Sequence, residues 1–214
     1  LARAIYPAEV ITLMISDVPG DDPGVIGSGP TIPDLTTFED ALSVIERYGL
    51  ELPSSIRRHL ESGLDETPKP NDNAFIGSEQ LMVARPQESL NAAAALAQTA
   101  GIKVITLSDQ IEGEARDVAD AHARLIKDDI GPRVYLSGGE LTVTIRGNGQ
   151  GGPNTEYMLA MAVALEGNPR VHALAIDTDG IDGSEDNAGA SIKPDTLSRA
   201  AAAGLNPARF LANN

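Results

Sequence analysis

Five carboxylates crowd into residues 177–186, directly after an apolar, strand-like stretch. They are Asp177, Asp179, Asp182, Glu185 and Asp186. Like charges packed this closely repel one another unless a cation or a set of hydrogen-bond donors offsets them. Carboxylates without histidine or cysteine suit magnesium, which usually arrives together with substrate phosphates. The segment therefore predicts a magnesium site, with a solvated acidic loop as the alternative.

A glycine-rich junction, residues 147–152, joins a strand-like stretch to a helix-like one. Its letters satisfy the dinucleotide-binding pattern G-x-G-x-x-G, but no acidic residue ends a second strand about 20 residues further on. A P-loop does not fit, since Pro153 stands where the lysine belongs. Glycine amides and the dipole of the following helix still favour an anion here. We predict anion binding, with a dinucleotide site and a flexible linker as the alternatives.

Strand-like and helix-like stretches alternate along most of the sequence, which predicts an α/β fold with mostly parallel sheets. Residues 103–109 predict a buried strand and residues 112–128 a long helix. Residues 141–146 alternate apolar and polar side chains, a pattern typical of a strand with one wet face. Because this stretch follows another strand after the letters SGGE, we predict an antiparallel hairpin with a tight turn at residues 137–140.

The first 70 residues are organised differently from the rest. Residues 10–15 form a continuous apolar run, which predicts a strand buried on both faces. A loop rich in Gly, Pro and Asp, residues 16–34, follows at the carboxyl end of that strand, where open α/β sheets place ligands. The polar segment 64–73 has two prolines and no periodicity, so it marks a boundary. We predict two α/β domains, over residues 1–70 and 71–214.

The composition of the chain argues against several classes of binding partner. The formal net charge of −15 argues against nucleic acid or an anionic membrane. The sequence has no cysteine, hence no disulfide framework, and no apolar run close to the roughly 20 residues that span a bilayer. Its three histidines suggest no catalytic triad. We expect a cytoplasmic protein, and the absence of an initiator Met suggests an internal fragment.

Three long motifs occur in a fixed order: residues 15–34 around SDVPGDDPG, residues 137–157 around SGGE and GNGQGG, and residues 177–190, DTDGIDGSEDNAGA. Together they resemble the MOFRL-type glycerate 2-kinases over nearly the whole chain. The resemblance implies phosphoryl transfer from ATP to D-glycerate, giving 2-phosphoglycerate with the help of Mg2+. It also implies a site in the cleft between two α/β domains. Some members of the family carry the name hydroxypyruvate reductase, from an operon for tartrate use.

The resemblance assigns roles to individual positions. It implies that Asp179 and Asp182 are catalytic and bind magnesium. In the first, Rossmann-like domain it implies that Asp17, Ser28 and Gly29 bind glycerate. The nucleotide-binding residues that it implies are Ser137, Gly138, Gly139, Glu140, Gly149, Gly151, Gly152 and Asn154.

The chain also departs from the family pattern. Many members have Arg and Gln where this chain has Pro153 and Thr155, so the cation expected to face the phosphates is either absent or lies elsewhere. Arg146 is an alternative at a different spacing. The family's amino-terminal lysine segment and Gly-Pro-Thr-Gly-Thr-Asn tail are not found, which predicts an incomplete first domain. The expected partners are glycerate and a nucleotide, and a homodimer stays open. Two alternative functions also stay open: an NAD(P)H-dependent hydroxypyruvate reductase, and an inactive fragment of the kinase.

Overall fold

The computed structural model describes residues 1–213 and divides the chain into two compact units. Unit 1 is Leu1–Ser89 and unit 2 is Leu90–Asn214. The boundary predicted from sequence lies earlier, at residues 70/71. Unit 1 continues beyond that point because residues 78–84 form a strand that pairs with the first strand of the chain. The ranges of the two functional domains stay a prediction.

Unit 1 is built on two parallel strands, β1 (Val10–Ile15) and β2 (Ser78–Ala84). Its helices are α1 (Ala2–Ile5), α2 (Phe38–Tyr48) and α3 (Ser54–Ser62). Short 3-10 turns lie at Ile26–Ser28 and Asn73–Phe75.

One face of the sheet in unit 1 is apolar and exposed. Ile11, Leu13 and Ile15 alternate along β1, and each keeps 65–70% of its surface exposed. Leu81 pairs with Leu13 in the neighbouring strand and is also exposed, as is Val83. We predicted that β1 is buried on both faces. Within the described residues this is wrong, because only one face of β1 is covered by the rest of the chain.

Unit 2 carries two separate two-stranded sheets. One joins β3 (Lys103–Glu114) to β4 (Arg133–Thr142) in parallel, and the other joins β5 (Ala173–Ile176) to β6 (Gly189–Ile192) in antiparallel orientation. The helices from here on, in chain order, are α4 (Pro86–Thr99), whose first residues up to Ser89 belong to unit 1, α5 (Ala115–Lys127), α6 (Pro153–Leu165), α7 (Thr196–Ala202) and α8 (Pro207–Ala212). The predicted α/β class, with mostly parallel sheets and an antiparallel hairpin in the second unit, is confirmed.

The antiparallel pair does not lie where we predicted it. Residues 137–140 form no turn, because β4 runs straight through them. β3 is longer than predicted and continues to Glu114, so it offers a parallel partner along the whole of β4, with Ile111 opposite Gly139. Gly139 has a φ of +144°, and an added Cβ would lie 2.7 Å from the Ile111 carbonyl carbon. The close approach of the two strands at this irregularity therefore requires glycine.

The core of unit 2 forms around α6, which is apolar on all sides. Such a helix belongs in the interior rather than at the surface. It packs against α5 on one side and against β5 and β6 on another. The contact with α5 is lined by alanines, which let the two helices approach closely. The buried members of this core are Ala119, Ala123, Met158, Ala160, Met161, Ala162, Leu165 and Ile192.

A hydrogen bond between His122 and Tyr157 joins α5 to α6, with Nδ1 and the phenolic oxygen 2.7 Å apart. Burial lowers the pKa of His122 and raises the pKa of Tyr157 to about 12. The unfolded chain therefore loses its phenolic proton before the folded chain does, and stability falls as pH rises from about 10 to about 12. For His122 the unfolded chain binds the proton first, so stability falls as pH drops below about 6.5.

Tyr157→Phe should remove part of the alkaline loss, because phenylalanine cannot ionise. We expect the free energy of unfolding to fall less between about pH 9 and about pH 11 in this variant than in the wild type. Urea denaturation at both pH values gives, for each protein, the change in free energy of unfolding between about pH 9 and about pH 11. The variant lacks its hydrogen bond at both pH values, so that loss does not contribute to the change. An equal difference in the two proteins would contradict the prediction.

Candidate functional site

A buried carboxylate caps the first turn of α6, where the glycine junction ends. Asp182 is fully buried. Its Oδ1 accepts hydrogen bonds from Asn154 N at 2.8 Å and Asn154 Nδ2 at 3.2 Å, and its Oδ2 accepts one from Thr155 N at 2.7 Å. The free amides and the dipole of a helix amino terminus stabilise a negative charge in this position. The anion that we predicted at this helix end is therefore supplied by the protein itself.

Two departures from the family pattern complete the cap. Gly152 N donates to Thr155 Oγ1 at 2.8 Å, and that hydroxyl donates back to Gly152 O at 3.0 Å. Pro153 stands at the start of the helix, where its missing amide hydrogen costs nothing. The amides of Gly152 and Asn154, both predicted to bind the nucleotide, are thus used inside the protein.

The acidic loop and the glycine junction touch through their backbones. An added Cβ at Gly152 would lie 2.6 Å from both Cγ and O of Asp182, closer than a side-chain carbon can approach. At Gly183, which has a φ of +69°, an added Cβ would lie 2.6 Å from Gly152 Cα. Ser184 N also donates to Gly151 O at 3.4 Å. Glycine is therefore required on both sides of this contact.

A cavity of about 500 Å³ opens beside the contact, a size that suits a small-molecule ligand. Three of the predicted nucleotide-binding residues line it: Gly149, Gly151 and Gly152. Its other polar lining comes from Gln150, Thr155, Glu156, Ser184 and Asn213. Its larger apolar side chains are Val143, Ile145, Leu159, Phe210 and Leu211.

A buried ion pair supports the wall of this cavity. Arg116, at the start of α5, places Nη2 2.8 Å and Nε 2.9 Å from Glu156 Oε1 in the first turn of α6. The side chain of Glu156 is 6% exposed and that of Arg116 is 19% exposed. Arg116 Nη2 also donates to Leu211 O in α8 at 3.2 Å. The sequence analysis missed both charged residues, since they lie 40 positions apart and each stands in an ordinary helical stretch.

The predicted metal ligands do not form a metal site. The Asp182 carboxylate is buried and used by its three donors, which does not fit the metal-binding and catalytic roles predicted for it. Asp179 is exposed, and its Oδ1 accepts a hydrogen bond from Ile181 N at 2.8 Å. Across residues 1–213, no group of three or more Asp, Glu, His or Cys side chains could hold a metal ion. The residues present do not fit a preformed magnesium site.

The SGGE motif lies elsewhere in unit 2. Its members are strand residues of β4, and they do not belong to the lining of the cavity. The same strand leads through Val143 to the cavity wall. The nucleotide-binding role of Ser137, Gly138, Gly139 and Glu140 stays a prediction.

In unit 1 the loop after β1 carries the predicted glycerate-binding residues Asp17, Ser28 and Gly29, and the first two are exposed. Ser28 has a φ of +64° and Asp21 a φ of +56°. Left-handed backbone at residues other than glycine stores strain, which is often found at functional sites. Asp21 Oδ1 is buried without a hydrogen-bond partner in the described part of the chain, and Oδ2 lies 4.0 Å from Arg85 Nε. Glycerate binding by this loop stays a prediction.

The fold and the site define a class of protein: a two-unit α/β protein with a ligand-sized cavity at the amino end of a buried helix. Residues 133–214 match the family model described as the MOFRL family, and residues 1–61 match a domain of unknown function, DUF4147. The match to the MOFRL family over residues 133–214 is the one that the resemblance predicted.

Known proteins match the chain almost from end to end. A D-glycerate 2-kinase from Thermotoga maritima is 36% identical, over 100% of this chain and 51% of its own length. A protein from Agrobacterium vitis with the provisional name hydroxypyruvate reductase is 49% identical, over 97% of this chain and 48% of its own length. The crystal structure of a glycerate kinase from Thermotoga maritima superposes with a TM-score of 0.83, over 100% of this chain and 51% of that one.

The chain is thus homologous to glycerate kinases, and it spans about half the length of these relatives. Within residues 1–213, no helix combines the length and the apolar character that crossing a membrane requires.

Proposed function

We propose that the protein to which this chain belongs is a glycerate kinase. It transfers the γ-phosphoryl group of ATP to the 2-hydroxyl of D-glycerate and releases 2-phosphoglycerate and ADP. The observation that carries the proposal is the match to the Thermotoga maritima glycerate kinase, which covers the whole chain at 36% identity. In the reaction the glycerate oxygen bonds to the γ-phosphorus, the bond from that phosphorus to the β–γ bridging oxygen breaks, and ADP leaves with that oxygen.

The cavity of unit 2 is the proposed binding place of the nucleotide. Its volume of about 500 Å³ lies in the range of small-ligand sites, and its lining is largely apolar with a few polar groups. The apolar side chains of Ile145, Leu159 and Phe210 suit a purine base. Gln150 and Gly151 line the cavity, and their amides have no hydrogen-bond partner within residues 1–213. They are the donors that this unit can offer to a phosphate.

The proposed chemistry relies on positioning rather than on a metal held by this chain. Phosphoryl transfer needs little covalent help from the protein, so orientation of the two substrates supplies most of the rate. Residues 1–213 provide no preformed magnesium site, and a magnesium requirement stays a prediction. Asp179 is exposed and remains a carboxylate that can take the proton of the attacking hydroxyl.

A reductase is the second candidate, because the Agrobacterium vitis relative carries that name at 49% identity. A dinucleotide enzyme would place its pyrophosphate on the amides at the amino terminus of α6. In this chain Asp182 occupies the amides of Asn154 and Thr155, so that position is filled by a negative charge. The geometry therefore favours the kinase.

Two assays on the complete protein separate the candidates. We expect ADP release with D-glycerate and ATP, and no loss of NADH or NADPH absorbance with hydroxypyruvate. Phosphorus NMR of the product distinguishes 2-phosphoglycerate from 3-phosphoglycerate. Calorimetry of the 214-residue chain with ATP, with and without magnesium chloride, tests whether this part alone binds nucleotide. Oxidation of the reduced cofactor without ADP release would overturn the proposal.

Asp179→Asn in the complete protein should reduce kcat about 100-fold or more, since the amide cannot accept the hydroxyl proton. Asp186→Asn is the matched control: it makes the same change of charge at another exposed position of the same loop. Steady-state kinetics with saturating ATP and D-glycerate measures both variants. Near-normal turnover in Asp179→Asn would remove this residue from its proposed role.

A further inference from the structure

We infer that Asp182 is a positioning residue, whose buried carboxylate holds the glycine junction in the shape that binds the nucleotide. The inference rests on the proposed function, and it assigns Asp182 a role different from metal binding.

The first observation is the cost of burying this carboxylate. An ionised group without exposure to water is strongly destabilising unless donors surround it. Asp182 receives three donors from two consecutive residues, Asn154 and Thr155, and lies at the positive end of α6. A carboxylate buried with this complement of partners fixes the loop that carries it against the end of the helix.

The second observation is that the same loop shapes the cavity. Gly183 and Ser184 follow Asp182 directly, and both line the cavity. Ser184 N donates to Gly151 O, and Gly151 also lines the cavity. The backbones meet so closely at Gly152 and Gly183 that neither position has room for a Cβ. Displacing the Asp182 carboxylate therefore displaces Gly151, whose amide is a proposed phosphate donor.

The third observation concerns the backbone of the acidic loop. Asp182 N donates to Asn187 O at 2.7 Å, and Asp177 N donates to Ala188 O at 2.6 Å. These bonds close the loop between β5 and β6, so the carboxylate is presented from a base that the antiparallel pair holds. The acidic loop is thus held at its base by β5 and β6 and contacts the amino end of α6 through Asp182.

Asp182→Asn tests the inference, because asparagine has the size of aspartate but only one side-chain oxygen that can accept hydrogen bonds. Its amide nitrogen must face a backbone donor, either Asn154 N or Thr155 N. In the 214-residue chain we expect hydrogen exchange at these two amides to speed up at least about 10-fold. Asp186→Asn, an exposed position in the same loop, should leave that exchange unchanged.

In the complete protein, Asp182→Asn should raise KM for ATP about 10-fold or more and leave KM for D-glycerate within about 2-fold. A residue that served only global stability would not separate the two KM values. If Asp182→Asn does not fold, Asn154→Ala keeps the backbone donor and loses the side-chain one. It should shift exchange and KM for ATP in the same direction by a smaller factor.

The outcomes separate the inference from the proposed function. Unchanged exchange at Asn154 and Thr155, or a KM for ATP that does not move, overturns the role of Asp182. A wild-type protein that exchanges slowly at these amides but does not phosphorylate glycerate overturns the proposed function and keeps Asp182 as the residue that shapes the cavity.

Discussion

Gly152→Ala is expected to lower the free energy of unfolding of unit 2 by about 3 kcal/mol or more. The added methyl group would lie 2.6 Å from Cγ and O of Asp182, so either the acidic loop or the end of α6 must move. Movement of either breaks the hydrogen bonds from Asn154 and Thr155 to the buried carboxylate. The φ of Gly152 is −149°, which any residue can adopt, so the loss comes from the clash alone.

Gly138→Ala is the matched control for this variant. Gly138 also lies in unit 2 and has an ordinary φ, but an added Cβ there would meet its nearest neighbours at 3.7 Å. We expect a change below about 1 kcal/mol in this control. Urea denaturation followed by circular dichroism measures both variants. Equal free energies of unfolding of the two variants would contradict a close contact between the acidic loop and Gly152.

Arg116→Met is expected to cost about 3–5 kcal/mol, because it leaves the nearly buried Glu156 carboxylate without its guanidinium. Methionine retains much of the apolar stem, so packing changes little. The variant also loses the hydrogen bond to Leu211 O, which ties α8 to the cavity wall. Thermal and urea unfolding of unit 2 measure the loss.

A second arginine on α5 serves as the control. Arg124 pairs with Asp120, but their side chains are 78% and 47% exposed, and exposed pairs contribute little. We expect Arg124→Met to change stability by less than about 0.5 kcal/mol. In a double-mutant cycle, adding Glu156→Gln to Arg116→Met should recover part of the loss, because the buried charge is then absent. A double variant that loses the sum of both single effects would contradict a direct interaction.

Helix positions followed well from local signals. α5 lies within the helix that we predicted at residues 112–128, and α2 is capped by Thr37, whose hydroxyl accepts a hydrogen bond from Asp40 N at 3.2 Å. Caps, glycine stops and apolar spacing act within a few residues of one another, so the chain displays them directly. The strand end at Glu114 was missed, because residues 112–114 join the sheet only through pairing with β4.

The anion that we predicted at the glycine junction is a carboxylate of the protein itself, Asp182. The glycine junction and the acidic loop do meet, as the resemblance implied, and they share the cavity wall through Gly152 and Gly183. Sequence reasoning gave Asp179 and Asp182 the same magnesium-binding role, whereas Asp182 is buried and Asp179 is exposed. Sequence spacing gives no measure of burial, so it could not separate a cap from a surface carboxylate.

The amino-acid order alone was sufficient for the α/β class, for most helices and for the family, because these depend on periodicity, caps and contiguous motifs. Three features needed the folded chain: the partner of the SGGE strand, the burial of Asp182 and the pairing of Arg116 with Glu156. Each depends on contacts between residues 27 or more positions apart, and whether such residues meet is set by how the elements pack rather than by their neighbours along the chain.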